Sequence, residues 1–234
     1  MNILGVIPAR GGSKRVPYKN IHILNGKPLI FYTIKASKLA KKIDRLILST
    51  EDEKIAQVAK EYGCDVPFIR PLSLAQDSTP DKPVIEQAVR WMEENEDYFS
   101  DIIVILRPTT PFKTPEIIDA VIQKLMDDKS DSVRTVTRVE ANFHPYWMFR
   151  KDEFDRAQPL IKGKTIEKFY QRQLLPPVYR LNGVVDAIRT ETLKHSEKLY
   201  GVDTRLFEIE EKYAIDIDDE QDFEYCEYLM KKKD

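Results

Sequence analysis

The chain has 234 residues, 42% of them hydrophobic, and its 37 basic and 39 acidic side chains give a net charge of −2 at neutral pH. This composition is that of an ordinary globular protein, and its apolar runs are too short to span a bilayer. The near-neutral charge gives no reason to expect nucleic acid or a membrane surface as a partner. The first residues lack a secretory-signal pattern, so we expect a cytoplasmic protein.

The first predicted element is a buried strand at residues 3–7, which leads into a loop at residues 8–20. Two glycines of that loop, Gly11 and Gly12, allow backbone N–H groups to approach an anion closely. The loop also holds four cations that a triphosphate would neutralise, namely Arg10, Lys14, Arg15 and Lys19. The sequence of the loop alone is equally compatible with a solvated basic turn.

Strand-like and helix-like patterns then alternate along the chain. The ranges predicted as helices are 28–40, 52–62, 80–98 and 115–126. The ranges predicted as strands are 45–50, 66–69, 101–106 and 132–139. Strands separated by helices of this length predict an α/β fold, with a parallel or mostly parallel sheet covered on both faces.

The pattern changes after residue 140. Residues 140–180 are rich in aromatic side chains, proline and charge without clean periodicity, and we interpret them as an excursion from the sheet. Two further strands are predicted at 183–188 and 206–209, and a closing helix at 219–232 has an acidic first turn. No linker or repeat interrupts the sequence, so a single domain over 1–234 that carries one lobe is the simplest organisation.

Polar side chains follow several of the predicted strands, where ligands bind in open sheets of this kind. Besides the loop at 8–20, these segments are 49–52, 70–79, 107–111 and 214–219. Together they offer cations, hydroxyl groups and a cluster of carboxylates. That combination suits a nucleoside triphosphate with Mg²⁺, because a hard cation takes oxygen ligands and phosphates take hydrogen-bond donors.

Five blocks of residues resemble, in order, the acylneuraminate cytidylyltransferase family, the CMP-sialic acid synthetases and their relatives. The blocks are Ile-Pro-Ala-Arg-Gly-Gly-Ser-Lys at 7–14 with Lys19-Asn20, Arg70-Pro71 with Leu-Ala-Gln-Asp at 74–77, Arg-Pro-Thr-Thr-Pro at 107–111, Arg172 with Tyr-Arg-Leu-Asn-Gly at 179–183, and Asp-Ile-Asp at 216–218. The resemblance covers nearly the whole chain. It implies a Rossmann-like nucleotidyltransferase sheet, an inserted dimerisation element at 140–182, and a homodimer. It also implies transfer of a nucleoside monophosphate from an NTP to a sugar acid, with release of pyrophosphate.

Phosphoryl transfer requires mainly that the reactants be positioned and that charge on the phosphates be offset. We therefore assign the side chains of Arg10, Ser13, Lys14 and Lys19 and the backbone of Gly11 and Gly12 to the triphosphate. Asp216 and Asp218 lie two apart on an extended segment, so both carboxylates face one side and can share a Mg²⁺. The alternative role for residues 216–219 is the acidic cap of the last helix, which we expect of Asp219. The predicted catalytic residues are Arg10, Lys14, Lys19, Asp216 and Asp218.

The resemblance implies the other contacts of both substrates. The nucleotide set includes Pro8, Ala9, Asn20, Arg70, Asp77 and Ser78, of which the last three would reach the base and ribose. The sugar set comprises Arg107, Thr109, Thr110, Arg172, Arg180, Asn182 and Asp186. Surface solvation is the alternative interpretation of Arg172, Arg180 and Asn182, whereas a guanidinium facing the sugar could hold a carboxylate bidentately.

Two departures from the family pattern concern the sugar. Arg107 stands where those synthetases usually have glutamine, and Asp186 stands where an aromatic residue is more usual. The pattern also resembles guanylyltransferases that act on amino-sugar phosphates, and Arg107 could hold such a phosphate. We therefore predict CMP transfer from CTP to a nonulosonic acid, with GMP transfer from GTP to a sugar 1-phosphate as the alternative.

Two other classes of protein share parts of this pattern. A nucleotide- or sugar-binding homologue without activity would keep the loop and lose the metal site, but both Asp216 and Asp218 are present. A dinucleotide-binding oxidoreductase is disfavoured because no Gly-x-Gly-x-x-Gly motif follows the first strand. Cys64 and Cys226 have no metal-like spacing and are expected to be structural thiols in a reducing compartment.

Overall fold

The structure, a computed structural model, describes residues 1–232, so residues 233 and 234 of the predicted single domain lie outside the described part. The strands are β1 (Ile3–Pro8), β2 (Ile23–Leu24), β3 (Lys27–Pro28), β4 (Arg45–Ser49), β5 (Ile102–Ile105), β6 (Ser132–Arg138), β7 (Phe149–Lys151), β8 (Ala157–Pro159), β9 (Tyr179–Arg189) and β10 (Thr204–Glu208). The α-helices are α1 (Leu29–Leu39), α2 (Glu53–Glu61), α3 (Asp81–Glu96), α4 (Pro115–Asp127), α5 (Thr190–His195) and α6 (Glu220–Lys231).

Six strands form the central sheet in the order β10, β6, β9, β5, β1, β4. β1 pairs in parallel with β4 and β5, and β6 pairs in parallel with β10. β9 runs antiparallel to both of its neighbours, β5 and β6. The predicted α/β fold with a mostly parallel sheet is therefore confirmed, and the carboxyl ends of β1, β4, β5 and β6 lie along one edge.

Helices cover both faces of the sheet, which explains why its strands are apolar without alternation. In β1, Ile3 and Ile7 pack against the side of α1, α2 and α4, while Leu4 and Val6 pack with α3 on the other side. Successive side chains of a strand point to opposite faces, so a strand covered twice must be apolar at nearly every position. The core accordingly forms two layers, one on each side of the sheet.

The closing helix α6 supports the loop that follows β1. Phe223 and Cys226 on α6 pack with Val16 of the loop and with Ile217. The Asp219 carboxylate caps the helix by accepting hydrogen bonds from the N–H groups of residues 221 and 222, and the Asp222 carboxylate accepts one from the Asp219 N–H. The predicted cap is therefore confirmed. This packing holds the segment before α6 against the loop that follows β1.

Some local predictions were wrong. Residues 66–69 form no strand, because Pro67 has no N–H to donate. The segment runs alongside β4 and is joined to it at its two ends. There the Leu48 N–H donates to the Asp65 carbonyl, and the Arg70 N–H donates to the Thr50 carbonyl. β9 begins at Tyr179, four residues before the prediction. α5 and the β2–β3 hairpin were not predicted, because elements this short show too little periodicity.

Residues 140–178 leave the sheet, as the composition indicated. They contain the β7–β8 hairpin, short 3₁₀ turns and an aromatic cluster of His144, Tyr146 and Phe169. The Trp147 indole N–H donates to the Phe169 carbonyl at 2.6 Å. We call this segment the lobe. Among residues 1–232, no helix has both the length and the apolar character needed to cross a membrane.

Candidate active site

A cavity of about 410 Å³ opens at the carboxyl edge of the sheet. One side, which we call the loop wall, consists of Arg10, Ser13, Lys14, Arg15 and Lys19. The facing side, which we call the Arg107 wall, consists of Thr79, Asp81, Arg107, Pro108 and Thr109. Arg70, Gln76 and Asp77 lie between them, and Pro8, Asn20 and Asp218 also reach the cavity. The fold thus gathers residues from all parts of the predicted nucleotide set and from the start of the predicted sugar set.

The backbone of the loop is fixed to its neighbours before any ligand binds. The Ala9 N–H donates to the Ser49 carbonyl at 3.0 Å, and the buried Asn20 amide donates to the Arg10 carbonyl at 2.8 Å. The Gly11 N–H donates to Glu51 Oε1 at 2.7 Å, so it is not available to a phosphate in this arrangement, contrary to the expectation. A Cβ on Gly11 would lie 2.8 Å from Asp52 Oδ2, which explains the glycine there.

Glu51 is a site residue that the sequence interpretation missed. Its second carboxylate oxygen accepts from the Arg70 guanidinium at 2.6 Å, and both side chains are buried. One carboxylate therefore ties Arg70 to the loop through Gly11. The Arg70 Nε is buried without a partner among residues 1–232, which leaves a donor beside the cavity. The only signal in the sequence was the position of Glu51 just after a strand.

The cations of the loop wall are paired with exposed carboxylates. Arg10 contacts Asp77 at 2.8 Å, and Lys14 contacts the same carboxylate, whose pKa is lowered chiefly by its hydrogen bond with Lys14. Lys19 lies 3.3 Å from Asp218 and donates to the Ile217 carbonyl at 2.7 Å. Exposed ion pairs contribute little to stability, so phosphate groups can replace these carboxylates at small cost.

Asp216 and Asp218 lie on the extended segment before α6, with the buried Ile217 between them. The Ile217 N–H donates to the Thr109 carbonyl at 2.8 Å, and the Thr109 hydroxyl bonds the Asp216 carboxylate. Asp216 keeps some solvent contact, but the protein packed around its carboxyl raises its pKa, and the charge of Asp218 adds to that shift. Thr109 therefore links this segment to the Arg107 wall.

This pair of carboxylates has the donor atoms that a hard divalent cation takes. Among residues 1–232, no group of three or more His, Cys, Asp or Glu side chains is placed to hold a metal ion. A cation bound by Asp216 and Asp218 would thus need further oxygen ligands from water or from a phosphate. The residues fit such a shared site.

Arg107 is held by hydrogen bonds to one fully buried group, Asp186, and to the more exposed Asp81 and Tyr200. Its Nη1 donates to Asp186 Oδ2 at 2.8 Å, and its Nη2 donates to Asp81 and, at 3.1 Å, to the Tyr200 hydroxyl. Asp186 is fully buried and also accepts from Arg134 Nε at 3.1 Å. Burial alone would raise the pKa of Asp186, but the two guanidinium groups hold it below its usual value.

A buried lysine supports the segment that follows β5. Four oxygens lie within hydrogen-bond distance of Lys113 Nζ: the carbonyls of Arg107 and Thr110 at 2.7 and 2.6 Å, and the hydroxyls of Thr110 and Thr33 at 2.9 Å each. The three N–H donors of the ammonium are shared among them. Burial lowers the pKa of Lys113 to about 7. Nothing in the sequence marked Lys113, because a lysine three residues after Thr110 is ordinarily a surface residue.

Several predicted residues lie away from the cavity. Ser78 is exposed outside the lining, and Thr110 is buried beneath it. Arg172 lines a second cavity of about 450 Å³ at the base of the lobe, and Arg180 pairs with Glu211 near that cavity. Neither Arg172 nor Arg180 therefore lines the first cavity, at the carboxyl edge of the sheet.

The structure contradicts the predicted sugar contacts of Asn182 and Asp186. Asn182 Oδ1 accepts from the Thr135 hydroxyl at 2.7 Å, and the side chain is buried. Asp186 has no exposed surface and its oxygens are occupied by Arg107, Arg134 and Tyr200. Neither side chain lines the cavity in this arrangement, and only Asp186 contacts a residue that does, Arg107.

Comparisons with known proteins identify the family to which the chain is similar. A sequence-family model described as "Cytidylyltransferase" matches residues 4–234. "CMP-N,N'-diacetyllegionaminic acid synthase" of Legionella pneumophila is 33% identical, over 99% of this chain and 97% of its own length. "Post-translational flagellin modification protein B" of Campylobacter coli is 31% identical over 99% of this chain and 96% of its own. "Pseudaminic acid cytidylyltransferase" of Campylobacter jejuni is 29% identical over 99% and 97%.

Two solved structures share the fold. CMP:2-keto-3-deoxy-manno-octonic acid synthetase, complexed with CTP, superposes over the full length of both chains with a TM-score of 0.75 and 19% identity. 4-Diphosphocytidyl-2C-methyl-D-erythritol synthase from Anaerococcus prevotii covers 98% of both chains with a TM-score of 0.66 and 15% identity. At these identities the likeness concerns the fold alone.

Proposed function

The chain belongs to the cytidylyltransferase family of nucleotidyltransferases, and on that premise we propose that it transfers CMP from CTP to a nonulosonic acid with release of pyrophosphate. The relatives named for legionaminic, pseudaminic and N-acylneuraminic acid support this class of sugar. The observation that carries the proposal is one cavity that brings replaceable cations for a triphosphate together with Asp218, whose segment also carries Asp216.

The loop wall is proposed to bind the triphosphate. Arg10 and Lys14 would exchange Asp77 for phosphate oxygens, and the Ser13 hydroxyl offers a further donor. Arg70, held by Glu51, would contact the nucleoside. A hydroxyl oxygen of the sugar then forms a bond to the α-phosphorus while the bond from that phosphorus to the pyrophosphate oxygen breaks. The side chains contribute by aligning the two reactants and by offsetting charge on the leaving pyrophosphate.

Asp216 and Asp218 are proposed to hold a divalent cation such as Mg²⁺. When bound, that ion would offset negative charge on the phosphates. Thr109 orients Asp216 by its hydroxyl bond and fixes the segment through the Ile217 N–H. Lys19 holds Asp218 and the Ile217 carbonyl from the loop side, so both carboxylates are positioned by residues of the cavity itself.

The inserted element at 140–182, which contains the lobe, is proposed to form a homodimer contact. Its large apolar side chains are exposed in the isolated chain: Phe143, Phe149, Phe154, Leu160, Ile161, Ile166, Tyr170 and Leu174. Exposed apolar surface of this extent supports a covering partner. Pairing of two lobes would also give Arg172 and Arg180 a route to the sugar of the neighbouring subunit.

Pyrophosphate release tests the proposal. The four nucleoside triphosphates are each combined with N-acetylneuraminate, legionaminic acid, pseudaminic acid and N-acetylglucosamine 1-phosphate in the presence of Mg²⁺. We expect release with CTP and at least one nonulosonic acid. Release with GTP and the sugar phosphate alone, or CTP binding without any turnover, would contradict it.

A further inference from the structure

Two charged residues of the predicted sugar set contact each other in the fold. Arg107 follows β5 and Asp186 lies on the neighbouring strand β9, and Arg107 Nη1 donates to Asp186 Oδ2 at 2.8 Å. Taken separately, each would add a charge to the sugar side of the cavity. Taken together, the positive and negative charges compensate each other.

The carboxylate of this pair is locked in place. Asp186 is fully buried, and it also accepts from Arg134 Nε at 3.1 Å and from the Tyr200 hydroxyl at 2.8 Å. The Arg134 guanidinium lies 3.6 Å from the centre of the Tyr200 ring. A buried carboxylate that loses one of its partners is strongly destabilised, so Asp186 resists any movement of Arg107.

Arg107 itself is only partly satisfied by the protein. Its two terminal nitrogens make bonds to Asp186, Asp81 and Tyr200. A guanidinium has five N–H donors, so two remain after these three bonds. The side chain is 23% exposed and lines the cavity. Arg107 and Arg134 carry two positive charges and Asp81 and Asp186 two negative ones, so the charges of these four side chains balance.

We propose that Asp186, Tyr200 and Arg134 fix Arg107 as a charge-compensated hydrogen-bond donor to a neutral oxygen of the sugar, so that this wall selects against a sugar phosphate. The inference rests on the proposed function and deepens it. A phosphate dianion requires uncompensated positive charge, and drawing Arg107 toward one would strip a bond from a buried carboxylate. Asp186, Tyr200 and Arg134 are accordingly positioning residues.

Kinetics of three variants test this inference with CTP and the best nonulosonic acid. In Asp186→Asn the KM for the sugar acid should rise about tenfold, the effect of one lost charged hydrogen bond, while the KM for CTP stays within about twofold. The same variant should gain inhibition by N-acetylglucosamine 1-phosphate, because Arg107 then carries an uncompensated charge. Tyr200→Phe should raise the sugar KM without that inhibition. Arg205→Gln, which removes an exposed arginine paired with Asp203, should change nothing.

The outcomes separate the two proposals. Absence of turnover by the wild type with every nonulosonic acid overturns the proposed function and this inference with it. Wild-type turnover combined with an unchanged sugar KM in Asp186→Asn overturns this inference alone. If Asp186→Asn does not fold, Tyr200→Phe serves as the test, because that change removes only one hydroxyl group. An unchanged KM for the sugar acid in folded Tyr200→Phe would also overturn this inference.

Discussion

The loop wall and the Arg107 wall face each other across one cavity, yet they hold their charges in opposite ways. On the loop wall, Lys14 is 77% exposed and its partner Asp77 is 42% exposed. At the Arg107 wall, Asp186 is fully buried, and Arg107 donates hydrogen bonds to Asp186, Asp81 and Tyr200. The first set of pairs can open toward a ligand, whereas the Arg107–Asp186 pair cannot open without leaving a buried charge. The Arg107–Asp81 pair resembles the first set, because Asp81 is 42% exposed.

Under the proposed function, we expect the two walls to have different tasks. Exposed pairs keep cations near the cavity and release them to phosphates, so they serve a highly charged and variable contact. Buried pairs hold a donor at one position, so they serve recognition of shape and of a neutral group. The Asp216–Asp218 segment joins the two walls, because the Ile217 N–H donates to the Thr109 carbonyl of the Arg107 wall and Asp218 contacts Lys19 of the loop wall.

Asp216→Asn should produce the largest effect, because it weakens the junction between the two walls. We expect kcat to fall roughly 10²–10³-fold, the usual consequence of removing one group that stabilises the transition state. The affinity for CTP without divalent cation should stay near that of the wild type. Pyrophosphate release and calorimetric titration measure the two quantities, and Asp203→Asn on the surface is the matched control. Residual kcat above a tenth of the wild type would contradict the assignment.

Lys113→Met should show how strongly the Arg107 wall depends on its buried support. The change leaves the carbonyls of Arg107 and Thr110 without their ammonium donor, which should lower the free energy of unfolding by about 2–3 kcal/mol. Urea denaturation measures the loss. A variant as stable as the wild type at pH 7 would show that the wall stands without Lys113.

The same pair of proteins gives a pH test. The pKa of Lys113 is about 7 in the fold and 10.5 in the unfolded chain, so between these values the unfolded chain binds a proton that the folded one lacks. Stability of the wild type relative to Lys113→Met should therefore rise with pH across that window and be constant below pH 7. A difference that falls with pH would contradict the assigned direction.

Lys14→Met tests the exposed wall. We expect the Kd for CTP to increase about tenfold at low salt, because one phosphate contact is lost, and the effect to shrink as ionic strength rises. The KM for the sugar acid should be insensitive to salt, which sharpens the contrast between the walls. Lys60→Met, an exposed lysine on α2, is the control. A loss of CTP affinity that does not depend on salt would contradict the role of Lys14 as an exposed, screened contact.

Asp219→Ala should have the smallest effect. Loss of the cap of α6 should lower the free energy of unfolding by about 1 kcal/mol. Because Phe223 on α6 packs with Val16 and Ile217, the loop wall should loosen, and hydrogen exchange near residues 14–19 should become faster while that near Arg107 stays unchanged. Equal acceleration on both walls would contradict their independence.

The sequence by itself determined the alternation of elements, the basic loop after β1, the cap at Asp219 and the family. These features depend on local spacing and on short blocks of residues, and they remain readable whatever surrounds them. Even locally, one residue such as Pro67 was enough to turn a predicted strand at 66–69 into an extended segment, because it removes a ladder donor.

The tertiary structure alone decided what the charges do. Arg107 and Asp186 are 79 positions apart in the chain, and Lys113 carries no motif, so neither the neutralised wall nor its buried support could be inferred from spacing. Whether a charge is free or compensated depends on its burial and on distances of about 3 Å, which the fold creates when it pairs β5 with β9.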